Sequence, residues 1–493
     1  MPDSILINRT FNETRIAYLK NDKIFELYIE RTTKPKFVGN IYKARVSKVI
    51  PGMQAAFVEY GEDRAGFISA EDVYNDEFEN IFLEQEDEIQ KNKFNNYLIQ
   101  DVLREGQEIL IQVLKNPSGS KGAKLTSNLA LPGKYLVLLG MVDFVGISKR
   151  IENTEERERL TEIINRIRPE GIGFIARTAS ESVEVKYIVN DLNQLVSKWN
   201  QIKSKADKSK SPLLLYKEPS LYLKVIRDIV SDSTRVIIDS SEYFDQIGGF
   251  IDEYFPELNI QMELYQDDVP MFIKYGLEGE IEKIYNKKVW LKSGGYLIIE
   301  EAEALTVIDV NTGKYLSGES QNETIYHIDK EAAFEIAKQI KIRNLVGIIV
   351  IDFIDLKDAG MSQDIYETFV EEMKDDKART VIYEMSQFSV IQLTRQKLRE
   401  SILEYLTVDC PQCHGTGYIK SPETLAYEII REVVHKARSY KYVTLKVIAP
   451  ARTVEYIRRY EDDNIRLLEK NNDVQVLFEI SDSDLNDYEI IVE

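Results

Sequence analysis

Residues 304–311, ALTVIDVN, and 345–355, LVGIIVIDFID, each run an apolar strand into an aspartate, and 326–344 between them, YHIDKEAAFEIAKQIKIRN, has helical spacing. Strand, helix and strand in this order make a β-α-β unit, and the alternation over residues 285–408 predicts a parallel sheet with right-handed crossovers. Parallel neighbours set Asp309 and Asp352 at one sheet edge, where open α/β sheets bind their ligands. Two carboxylates there form a hard oxygen site suited to magnesium. A cation so held activates water for in-line attack on a phosphodiester, which leaves 5′-phosphate and 3′-hydroxyl ends. Asn311, on the same face as Asp309, is expected to orient a carboxylate or the water, with Asp355 a weaker candidate. A lone aspartate at a strand end often only caps a turn. It is the pairing that favours the metal reading.

Cleavage through a ribose 2′-hydroxyl without metal calls for a general acid and base, commonly histidine. The chain has three histidines, His327, His414 and His435, none beside another. His327, at the expected start of a helix, reads as a solvated or capping residue.

Working outward, VGNIYKARVSKVIPGMQAAFVEYGEDRAGFISAEDV from Val38 reads as short strands broken at Pro51-Gly52 and Gly61. Tyr42, Ala44 and Val46 face one side of the first strand, and Lys43, Arg45 and Ser47 face the other. The pattern suits a small barrel with one wet, basic face. Phe57 and Phe67 flank a turn where they can stack on bases, with Lys43, Lys115 and Lys121 near phosphates. The competing reading makes at least one of these phenylalanines a core residue.

Cys410-Pro411-Gln412-Cys413 offers two thiolates at a spacing that suits zinc, but a closed structural site needs four ligands. Two chains contributing one pair each supply them, with Gly415 and Gly417 allowing a tight turn. His414 as a further ligand and a thioredoxin-like redox pair are the alternatives. These are the only cysteines, so a disulfide framework is excluded.

Length, 493 residues, implies several folding units. A net charge of −20 argues against nucleic-acid binding if averaged, yet residues 71–90, EDVYNDEFENIFLEQEDEIQ, hold nine acids and no Lys or Arg. That stretch, to about Asn95, is expected to be a helical insertion, leaving basic side chains elsewhere to line a groove. No run is long and apolar enough for a bilayer and no signal core opens the chain, so a cytoplasmic location without membrane association is expected.

Taken together, GNIYKARVSKVIPGMQAAFVEYGEDRAGF (39–67), DVLREGQEILIQV (101–113), KGAKLT (121–126), GKYLVL (133–138), GFIARTAS (173–180), EALTVIDVN (303–311), GIIVIDFID (347–355), TRQKL (394–398) and CPQCHGTG (410–417) resemble the ribonuclease E/G family. The resemblance implies a multidomain α/β and α+β chain. An RNase H-like domain (1–36 and 223–284) is split around an S1-like OB barrel (37–127) and a 5′-sensor domain (128–222). A deoxyribonuclease-like catalytic domain (285–408), a zinc link (409–418) and a small α+β domain (419–493) follow. It implies an endoribonuclease of RNA processing and decay, acting on single-stranded RNA such as rRNA precursors and mRNA. It further implies catalytic magnesium on Asp309 and Asp352 with Asn311 in support. Structural zinc on Cys410 and Cys413 would join a homodimer, a tetramer being left open. In the barrel, Phe57, Phe67 and Lys121 fall on the family's RNA-binding positions. Gly133, Val137, Arg177 and Thr178 fall on its pocket for a 5′-monophosphate, a group that an Arg fork and a hydroxyl can bind.

Three departures stand out. Gln387 replaces a frequent arginine, Lys149 replaces an arginine before Arg150, and the acidic segment interrupts the barrel region. The chain ends soon after the small domain, as in the shorter ribonuclease G type, so no scaffold tail is expected. Rival readings are a non-catalytic RNA-binding protein, a metal-dependent nuclease acting on DNA, and a redox protein.

Overall fold

The computed structural model describes residues 3–33, 37–73, 98–117, 121–313, 321–397, 399–413, 415–481 and 487–493. Most of the expected acidic insertion, and His414, lie outside these residues. The chain divides into two compact units, Met1–Ile402 and Leu403–Glu493.

Among the described residues, the first unit holds four sheets. Strands Ser4–Thr10, Glu13–Lys20 and Lys23–Arg31 form an antiparallel meander, onto which Arg235–Ile238 and then Gln261–Leu264 add in parallel. Residues over 200 positions apart thus share one core, in which Ile5, Ile7 and Ile16 pack against Val236, Ile238 and Ile247.

A closed barrel follows. Ile41–Ile50, Ala55–Glu59, Gly66–Ser69, Lys124–Thr126 and Glu108–Lys115 pair in that order, and the last pairs back onto the first. Tyr42, Ala44 and Val46 point inward, as their alternation predicts, and are buried with Val58, Ile68 and Leu125. Leu213–Tyr216 adds to the edge of Ile41–Ile50 as a sixth strand.

The third sheet, in the order Val145–Ile147, Gly173–Ala176, Leu136–Leu139, Ala130–Pro132, carries helices Thr154–Ile167 and Val185–Lys208. Trp199 and Phe174 fill its core. Asn153 caps the first helix by accepting the Glu156 N–H.

The fourth sheet runs Lys288–Trp290, Tyr296–Glu301, Leu305–Asn311, Gly347–Asp352, Val390–Arg395, Thr380–Ile382. It corrects the expected parallel sheet: only Leu305–Asn311 and Gly347–Asp352 are parallel, and every other pair is antiparallel. Turns as short as 302–304 join antiparallel strands, whereas the single parallel pair is bridged by helix Gln321–Arg343. Ile308, Val310, Ile349 and Ile351 bury one face under this helix and Ala359–Met373. On the opposite face Val307, Ile348 and Asp352 are exposed.

The second unit is a mixed sheet, Gln475–Ile480, Thr444–Ala449, Glu489–Val492, with helices Pro422–Ser439, Ala451–Tyr460 and Asp462–Asn472. Ser421 caps the first of these, with Pro422 in its first turn. No helix among the described residues is long and apolar enough to cross a membrane.

Candidate active site and nucleic-acid interface

Asp309 and Asp352 are direct partners across the parallel strand pair. Both lie on the open face, Asp352 as the last residue of its strand and Asp309 two residues inside its own. The Asn311 amide donates to Asp309 Oδ2 at 2.7 Å, which fixes that carboxylate's orientation. Burial, then the negative charges of Asp309 and Asp355, hold the Asp352 carboxyl above its ordinary range. Carboxylates that repel one another in this way suit a divalent cation. Among the described residues no group of three or more His, Cys, Asp or Glu side chains converges as a metal cage. Two protein carboxylates, with water and phosphate oxygens completing the shell, is a common magnesium arrangement.

Behind this site sequence reading missed Asp329. Its carboxyl is wholly buried; Oδ1 accepts the Ile354 N–H at 3.3 Å, and Oδ2 has no partner. Desolvation pushes its pKa up to about 8, so it is largely protonated at neutral pH.

On the barrel, Phe57 and Phe67 are cross-strand partners with ring centres 6.4 Å apart, Phe57 being exposed and Phe67 half-buried. The row continues at both ends: Lys48 pairs with Phe57, Phe67 with Lys124, whose ammonium is held by Asp72 at 3.0 Å, and Lys124 with the exposed Lys115. Two aromatic rings flanked by cations make a platform for an unpaired strand. Lys121 is exposed beside it in sequence. Lys43 is not available as expected, since its ammonium bonds Glu108 and the carbonyls of Ala206 and Ser209.

Arg177 and Gly133 meet, the guanidinium Nη1 donating to the Gly133 carbonyl and to Asp228 at 2.8 Å. The Arg177 charge heads those that hold the Asp228 carboxylate down to about 2 against its burial. Thr178 Oγ lies 3.0 Å from Ser148 Oγ, and Val137 is half-buried in the strand paired to Gly173–Ala176. Gly133 has no room for a side chain, because a Cβ there would strike the buried Asp191 carboxylate. Arg150 donates to the Asp376 and Ala378 carbonyls, whereas Lys149 and Gln387 are exposed.

In the second unit, Cys410 and Cys413 occupy a tight turn closed by Gly415 and Gly417, both at positive φ. The Gly417 N–H donates to Cys413 Sγ at 3.3 Å, and this bond leads the causes that lower the Cys413 thiol pKa. The cysteines precede the α/β unit and open none of its helices, unlike a redox pair activated at a helix N-terminus.

An aromatic-faced closed barrel and a mixed sheet that pairs two carboxylates on its open face define a multi-sheet α/β chain. The chain belongs to the ribonuclease E/G family, whose model matches residues 130–398; a second model, the RNase E/G thioredoxin-like domain, matches 409–492. It is 37% identical to ribonuclease G of Haemophilus influenzae, over 94% of this chain and 93% of that one. With ribonuclease G of Escherichia coli K12 it shares 36% identity, over 95% of each chain. Ribonuclease E of the same strain is 31% identical over 95% of this chain but only 44% of its own.

Proposed function

We propose that the protein is an endoribonuclease of RNA processing and decay that hydrolyses phosphodiesters in single-stranded RNA. The observation that carries this reading is the register pairing of Asp309 with Asp352 on an open sheet face. Membership of the ribonuclease E/G family supports it.

Asp309 and Asp352 would hold magnesium, which when bound supplies charge neutralisation at the phosphate and an acidified water. Asn311 keeps the Asp309 carboxylate turned for coordination. The Phe57–Phe67 row receives the bases of the strand, and Lys48, Lys115 and Lys121 face its phosphates. A 5′-monophosphate is read by Arg177 and Thr178, with Asp228 and the Gly133 carbonyl aiming the guanidinium. We assign the sheets to the split RNase H-like, S1-like, sensor, catalytic and small domains set out above. Cys410 and Cys413 supply half of a tetrathiolate zinc site that a second copy completes. Two free thiols fit a reducing, cytoplasmic setting.

The test is cleavage of a short, A/U-rich, 5′-monophosphorylated RNA by wild type and Asp352→Asn, with magnesium and with EDTA. Magnesium-dependent cuts that leave 5′-phosphate ends and vanish in the variant are expected. Binding of RNA without cleavage by folded wild type would convert the reading to an RNA-binding module.

A further inference from the structure

The open face that carries the two aspartates extends across two more strands. Lys288, Ile298, Asp309 and Asp352 are successive cross-strand partners, and Trp290, Tyr296 and Asn311 form the next row. Residues directly opposite one another in a sheet share a face, so Trp290, Lys288 and Tyr296 stand on the same surface as the paired carboxylates. Strand spacing puts Trp290 roughly 10 Å from Asn311, two strands away.

Trp290 is 63% exposed, on the edge strand. The Lys288 ammonium lies 3.9 Å from the Trp290 ring centre and 3.5 Å from that of Tyr296. The two rings meet edge to face at 5.3 Å. Glu300, also on this face, is paired with Lys287 at 2.9 Å. An aromatic pair with an embedded cation, beside carboxylates that would hold a metal, matches an unpaired nucleobase with its phosphate.

We infer that Trp290, Lys288 and Tyr296 form a second stacking platform, separate from the barrel, that takes the base of a nucleotide flanking the scissile phosphodiester. The inference rests on the nuclease reading and adds a positioning element to it. Trp290 stacks on the base, Lys288 faces the phosphate, and Tyr296 buttresses both next to Asn311.

The chain contains two tryptophans, and the other, Trp199, is 1% exposed. Acrylamide-accessible emission therefore reports Trp290. The experiment titrates wild-type protein in EDTA with a ten-nucleotide oligouridylate, following tryptophan quenching, and measures cleavage of the same RNA with magnesium. Quenching and acrylamide protection on binding are expected, both absent in Trp290→Ala. That variant should show about a tenfold higher KM, restored largely by Trp290→Phe. Wild type that cleaves while Trp290 stays unquenched, with Trp290→Ala keeping its KM, overturns the platform and leaves the nuclease reading intact. Wild type that does not cleave overturns both.

Discussion

The Asp329 carboxyl accepts the backbone N–H of Ile354, two residues beyond Asp352, from inside the core of the fourth sheet. The bond pins the turn that leaves the strand bearing Asp352. Because its pKa is raised to about 8, Asp329 favours the folded state fully below its unfolded value near 4. That contribution is lost as pH rises toward and through 8. Denaturant midpoints should therefore fall between pH 6 and pH 8 in wild type and fall less in Asp329→Asn, an isosteric neutral side chain. Asp329→Ala leaves the Ile354 N–H without its partner and should cost about 1–3 kcal/mol. An identical pH slope in wild type and Asp329→Asn would refute the account.

Arg395 and Asp376 form a buried two-pronged ion pair, Nε to Oδ2 at 2.6 Å and Nη2 to Oδ1 at 2.9 Å. Arg395 also donates to Asn344 Oδ1 and to the Leu345 carbonyl, so it fixes the approach to the strand Gly347–Asp352. Removing one partner strands a buried charge, and Arg395→Met should lose about 3–5 kcal/mol by chemical denaturation. Arg395→Lys keeps the charge without the fork and should recover only part.

The barrel row separates stacking from charge. Phe57→Ala is expected to weaken binding of a single-stranded RNA by about tenfold at every salt concentration. Lys48→Ala and Lys115→Ala should each lower the slope of log affinity against log salt by about 0.7. Fluorescence anisotropy over a salt series measures both effects; a Lys48→Ala slope equal to wild type would remove Lys48 from the interface.

For the cysteine turn, the proposed shared tetrathiolate predicts about one zinc ion per two chains. Cys410→Ser with Cys413→Ser should abolish bound zinc and halve the mass seen by light scattering. A zinc-free wild type of dimer mass would separate assembly from the metal.

Much of the paired-carboxylate site was legible because apolar runs ending in aspartate, with a helix between, leave one plausible pairing. Asp309, Asp352 and Asn311 follow from period and spacing. The sheet's mixed character did not, since strand direction is set by connection length and by which edge each later strand joins. Lys48 was hidden by a bulge: alternation from Tyr42, Ala44 and Val46 carries it inward, but the register shifts between Val46 and Lys48 and turns it out beside Phe57. Lys43 was misjudged for the opposite reason, as its partners lie more than 60 positions away. Asp329 sits amid helical apolar spacing, where a buried acid reads as a surface residue, and no local signal marks it.

The sheet built from residues 4–31 and 235–264 also sets a schedule for biosynthesis. The opening meander emerges first, with strand Ser4–Thr10 lacking its parallel neighbour until Arg235–Ile238 has left the ribosome. At translation rates of about 5–20 residues per second, that wait is roughly 10–50 s. Throughout it an apolar strand edge stands unpaired, open to chaperones and to other nascent chains, while the barrel encoded in between can already close.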